Sequence, residues 1–66
     1  SFEEWCDWMC ITDEIKSLYG RGYETYKQIF STSSTQEKHS LAAEYIQFTN
    51  RAIKLRGEII FEKITN

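Results

Sequence analysis

Leu41, Tyr45, Phe48, Ala52, Leu55 and Ile59 follow one another at steps of 4, 3, 4, 3 and 4 residues. Nothing else in this chain restricts its fold as tightly. Alternating three- and four-residue steps place side chains on one stripe of an α-helix. Sustained over nearly three heptads, they form the seam of a helix that packs lengthwise on another helix. Proline is absent and glycine occurs only three times in 66 residues. The turns of an all-β fold would lack their usual residues, so the chain is expected to be all-α.

The helix that carries this seam has a visible start. Ser34-Thr35-Gln36-Glu37 fits a capping box, and the helix is predicted from about residue 35 to the end of the chain. Ile53, Ile60 and Ile64 widen its apolar stripe on one side, as expected of a helix with more than one neighbour. Gly57 lies off the seam. Upstream, Ser31-Thr32-Ser33-Ser34-Thr35 has no apolar residue and hydroxyls that compete for backbone hydrogen bonds, which marks a loop.

A second amphipathic arm precedes that loop. Ser1-Phe2-Glu3-Glu4 is another capping box, and Trp5, Trp8, Ile11, Ile15, Leu18 and Tyr19 recur at helical spacing. Gly20-Arg21-Gly22 interrupts, each glycine costing about 1 kcal/mol relative to alanine. Tyr23, Tyr26, Ile29 and Phe30 then resume in the same phase. The glycines mark either a close-contact point within one helix or a break between two. The expected architecture is one domain, residues 1–66, forming an antiparallel helical hairpin, with three helices if the first arm breaks at Gly20–Gly22.

Two helices offer each other a single seam. Trp5, Trp8, Phe2, Met9, Ile46, Ile53, Ile60, Phe61 and Ile64 exceed what it covers. Small scaffolds without disulfides or metals often rely on association, so a homodimeric helical bundle is expected, with Leu41, Tyr45, Phe48, Ala52, Leu55 and Ile59 as the self-association seam. A compact three-helix monomer is the alternative.

The net charge of −2 supplies no global field for nucleic acid. The first 33 residues carry six acidic and three basic side chains, the last 33 four and five, which suits packing of one half on the other. No apolar run approaches the roughly 20 residues needed to cross a bilayer, so no membrane partner is expected. No signal peptide is visible, and two cysteines do not make a disulfide framework. A cytoplasmic home is the expectation. Ser1 fits either removal of an initiator methionine or a domain boundary.

Cys6 and Cys10 are four residues apart, where helical Cβ atoms lie about 5–6 Å from each other, too far for a disulfide. Structural zinc wants four nitrogen or sulfur ligands, and only His39 could join the two thiols. No metal or cofactor is expected. Catalysis has no support either: there is no phosphate-binding glycine loop, no metal-ligating histidine pair and no nucleophile with a base. What remains is recognition. Glu3, Glu4, Trp5, Asp7, Trp8 and Met9 read as a partner-binding face, tryptophan anchors with an acidic rim. The alternative for the tryptophans is bundle core. Tyr19, Tyr23 and Tyr26 are expected to find hydroxyl partners at the core edge, with Arg56 serving one of them or pairing with Asp13 or Glu14. A nucleic-acid backbone is the second candidate partner, through a strip of Lys38, Arg51 and Lys54, although Glu44, Glu58 and Glu62 dilute it.

The segment AEYIQFTNRAIKLR, residues 43–56, resembles the last helix of microtubule-interacting-and-trafficking domains. The tryptophan-rich first helix and short middle segment depart from that family's pattern, and no membership is assigned. The function expected is that of a small helical protein–protein interaction module, a regulator or inhibitor that docks on a partner.

Overall fold

The computed structural model describes all 66 residues. Three helices follow one another: α1 (Phe2–Trp8), α2 (Asp13–Ile29) and α3 (Thr35–Thr65). Ser1 caps α1 as its sequence predicts. Its hydroxyl accepts from the Glu4 N–H at 3.2 Å, and the Glu4 carboxylate reaches back to the Ser1 amine at 3.5 Å. Ser34 caps α3 by accepting from the Glu37 N–H. The Glu37 carboxylate accepts instead from the Thr32 hydroxyl at 3.0 Å, tying the interhelical loop to the helix it feeds.

The first arm is broken, but not at the glycines. α2 runs through Gly20 and Gly22 without interruption, and the break lies at Met9–Thr12. There α1 ends in a Schellman turn. Cys10 adopts the left-handed conformation, φ 59°; its N–H donates to the Asp7 carbonyl, and the Ile11 N–H donates to the Cys6 carbonyl at 2.8 Å. Glycine usually holds this position, so the sequence gives no warning. Thr12 then caps α2, its hydroxyl accepting from the Ile15 N–H, with Asp13 and Glu14 in the first turn beside the positive helix end.

Gly22 is buried, and a Cβ there would sit 3.5 Å from the Phe48 Cβ and 3.6 Å from the Tyr45 ring. It is the close approach of α2 and α3, which supplies the packing that offsets glycine's cost in a helix. Ile15 and Ala52 are fully buried and Leu18 nearly so, with Ile11, Phe48, Leu55 and Ile59 packed around them. Helix-on-helix packing is confined to α2 and α3.

The predicted seam of α3 therefore faces α2 of its own chain. As drawn from the sequence it was the contact for a second copy; within this hairpin its central residues, from Phe48 to Ile59, surround the core. The acidic and basic halves do not meet through ion pairs. Lys16–Asp13 and Lys27–Glu24 are local pairs within α2, exposed and worth little.

The hairpin is a slab 48 × 25 × 11 Å, one helix thick. Its radius of gyration is 14.8 Å, against about 11 Å for a compact domain of this length. Only seven residues are buried, so most of the apolar side chains that the sequence offers lie on the slab's surface. No helix is long and apolar enough to cross a membrane.

Candidate interaction surface

At 100° per residue, Tyr19, Tyr23, Tyr26 and Phe30 share one flank of α2, and Ile46, Ile53, Ile60 and Ile64 share one flank of α3. Both flanks lie on the same side of the slab. Tyr19, Tyr23 and Tyr26 border one shallow depression with Tyr45 and Thr49. Tyr19 borders the next with Ile53, Gly57 and Ile60. Ile60 and Ile64 border a third, of about 390 Å³, with Trp8 and Met9. Tyr26 links the series at its other end, lying 5.1 Å from the Phe30 ring and 5.5 Å from the Tyr45 ring. The opposite side of the slab carries Ser17, Arg21, Glu24 and Gln28 from α2 and Glu44, Arg51, Glu58 and Glu62 from α3, all exposed. The molecule thus has one apolar face and one charged face.

The apolar face contains a second seam. Ile46, Asn50, Ile53, Gly57, Ile60 and Ile64 repeat the steps 4, 3, 4, 3 and 4. Each lies five residues after a member of the first seam, which turns the stripe about 140° round the helix. The first seam is turned to α2, and the second is exposed at each position, its isoleucines from 37% at Ile60 to 77% at Ile64. In the sequence Ile53, Ile60 and Ile64 pass for a widening of one stripe; the five-residue offset marks them as a separate seam.

Trp8 stands at one end of this face. It is 83% exposed, Trp5 is half exposed and Phe2 largely so, so neither tryptophan belongs to the hairpin core. Phe2 stacks on Trp5 with ring centroids 6.2 Å apart, and the Lys16 ammonium lies over the Phe2 ring at 5.4 Å. Glu3, Glu4 and Asp7 are exposed beside them and Met9 is half-buried. The six residues assigned to a partner-binding face all lie on or just after α1 but do not share one surface: Glu3 and Asp7 border a depression with Ile11, Asp13 and Lys16, and Trp8 and Met9 border another with Arg56, Ile60, Lys63 and Ile64.

Besides the burial of Cys6 and Cys10, two polar contacts from α3 hold the end of α1. The Arg56 Nε donates to the Met9 carbonyl at 2.8 Å, and the Lys63 Nζ donates to the Asp7 carbonyl at 3.2 Å. The last carbonyls of a helix lack intrahelical partners and carry its negative dipole end. α1 has no basic residue in its last turn, and α3 supplies two. Arg56 thus serves neither a tyrosine hydroxyl nor Asp13 or Glu14, as the sequence had suggested. Tyr19, Tyr23 and Tyr26 stay at least two-fifths exposed.

Cys6 and Cys10 are both free and buried, with the Cys10 thiol 4.0 Å from the Trp8 carbonyl. No cluster of three or more His, Cys, Asp or Glu side chains is placed to hold a metal ion. Lys38, Arg51 and Lys54 do not form one strip. Lys38 lies about 20 Å along the helix from Arg51 and about 140° round it. Arg51 and Lys54 border a depression together with Asn50 and Glu58, so an acidic group stands among them. The pKa of Lys27 is raised by its hydrogen bond to the Glu24 carboxylate, with the Glu24 charge and Tyr23 adding to it. It lies away from the Trp8 end.

No known family model, no curated protein and no solved structure matches this chain. Its surface is the guide to its function.

Proposed function

We propose that this chain is a non-enzymatic helical protein–protein interaction module, a small regulator or inhibitor that acts by covering part of a partner's surface. The observation that carries this reading is Trp8, 83% exposed beside Met9, Ile60 and Ile64. Tryptophan is the residue type that most often anchors interfaces, and it does so from well-packed apolar surroundings. Here Trp8 stands exposed beside such apolar side chains. A partner ridge seated on Trp8 and the two isoleucines would meet Arg56 and Lys63 at the rim. Glu3, Glu4 and Asp7, exposed elsewhere on α1, would draw basic groups toward this end of the molecule.

Trp8→Ala tests this directly. Because Trp8 lies outside the core, helicity by far-UV circular dichroism should match that of the parent. Association with whatever protein the parent captures from a native lysate should fall by about tenfold or more, the usual effect of removing an interface anchor. Equal capture by the variant would remove Trp8 from the interface and this reading with it. Added salt should slow association more than it speeds dissociation, because the exposed carboxylates of α1 act on encounter.

A further inference from the structure

We infer that the second seam of α3 is the docking surface for a second copy of this chain, with two hairpins stacked apolar face to apolar face and running antiparallel as a four-helix bundle. This rests on the interaction-module reading and names the occupant of its surface.

The amount of surface left open points to this occupant. A folded monomer of 7.8 kDa is expected to expose about 4,400 Å². The hairpin exposes 5309 Å², an excess of about 900 Å². A standard protein interface removes about 800 Å² from each partner. The excess matches one such interface, and a slab one helix thick has one apolar face on which to place it.

The seam's composition supports another α3 as the contact. Ile46, Ile53 and Ile60 recur every seven residues, with Asn50, Gly57 and Ile64 between and after them, the repeat of a helix that packs along a second helix. Gly57 has no neighbour that a Cβ would meet within the chain. A glycine inside a helix weakens it, and nothing in the hairpin requires this one. In an antiparallel pair centred near Leu55, Ile53 of one copy lies level with Gly57 of the other. A large side chain then meets the gap left by a missing one, twice by symmetry.

The direction follows from α2. A two-fold axis across the hairpin sets α3 on α3 and α2 on α2, and covers Tyr19, Tyr23 and Tyr26. It also brings the Trp8 end of each copy, beside Ile64, over the end of the other copy that carries Ile46, Tyr23 and Tyr26. A parallel stacking of α3 on α3 would carry the two α2 helices to opposite sides and leave the tyrosines in water.

Sedimentation equilibrium at about 100 μM, where an interface of this size is saturated, decides the matter. The parent chain should sediment at twice 7.8 kDa, and Ile53→Glu should weaken the pairing at least about 100-fold while keeping its helicity. Gly57→Leu is the second variant. It raises helix propensity, so it has no reason to misfold, and it fills the gap that Ile53 needs; it too should pair at least about 100-fold more weakly, read from a dilution series. A parent at 7.8 kDa overturns the inference, as does pairing undiminished in both variants. An Asn50→Cys chain should not link to itself on oxidation, because antiparallel copies hold residue 50 about 15 Å apart along the helix; a rapid disulfide dimer would overturn the antiparallel arrangement. A monomeric parent that still captures a foreign protein through Trp8 defeats this inference and leaves the interaction-module reading intact. A dimer whose only loss in Trp8→Ala is self-association supports the second copy as occupant and refutes a foreign partner.

Discussion

α3 carries two seams with the same arithmetic and opposite fates. Leu41, Tyr45, Phe48, Ala52, Leu55 and Ile59 face α2, with Ala52 sealed and its neighbours half covered. Ile46, Asn50, Ile53, Gly57, Ile60 and Ile64 face outward along their length. Periodicity cannot tell them apart, since each shows a 4-3-4-3-4 run. The difference lies in the side chains that set helix separation. The first seam has Ala52 at its centre opposite Ile15 and Leu18, and Gly22 of α2 meets Tyr45 and Phe48. Small meets large within one chain. The second seam has large residues and a glycine that Tyr19, Trp8 and Met9 meet only at the edge. A helix seam becomes core only where complementary shape reaches it.

Paired variants in the two seams test this contrast, beginning with the largest expected effect. Leu55→Glu and Ile53→Glu are two residues apart. The first puts a carboxylate against Ile15, Leu18 and Ala52, and the hairpin should lose its cooperative unfolding transition, because an unpaired charge in a core costs several kcal/mol. The second should leave thermal unfolding of the monomer nearly unchanged. If both unfold the chain, the outward seam is core and the contrast is false.

Ile15→Ala is milder. A fully buried isoleucine cut to alanine should cost about 2–5 kcal/mol by urea titration. Arg56→Met comes next. Removing the charged donor from the Met9 carbonyl should cost about 1.5–3 kcal/mol, and the loss should be confined to α1. Amide exchange of α1 should quicken while that of α2 and α3 holds; uniform quickening would mean that α1 is part of the core after all.

Gly20→Ala and Gly57→Ala sharpen the comparison further. Neither added methyl meets an atom within 4 Å, so each should gain about 1 kcal/mol of helix stability in the monomer. Only Gly57→Ala should weaken self-association. The smallest effect belongs to the solvent side. The Lys27 pKa stands above its ordinary 10.5 because of the Glu24 carboxylate. A raised pKa means that the folded state holds this proton more tightly; the contribution is present below the ordinary value and fades as pH rises through the raised one. Glu24→Gln should return the Lys27 titration toward 10.5 by NMR with no measurable change in Tm at pH 7.

Several elements were readable because they are local. The capping serines, the loop from Ser31 to Thr35 and the seam from Leu41 to Ile59 each draw on residues within a few positions of one another. The break at Met9–Thr12 escaped because Trp5, Trp8, Ile11 and Ile15 keep helical phase across it, while the left-handed residue is a cysteine rather than a glycine. Thr12-Asp13-Glu14 is a helix-start signal of the kind α2 uses, but the apolar periodicity runs straight across it. The Trp8 face was legible as residue types. Its exposure was not, because burial depends on the turn that swings α1 away from the α2–α3 packing.

By itself the sequence determined an all-α hairpin, since apolar periodicity and capping chemistry act over a turn or two of helix, and both stripes of α3 were written in it. Only the tertiary structure decided which stripe α2 covers, that the tyrosines of α2 and the isoleucines of α3 lie on one side, and that Arg56 and Lys63 hold the end of α1 from 47 and 56 residues away. Those outcomes depend on how one helix is rotated against another, and rotation is set by the fit of side chains that no short window of the chain brings together.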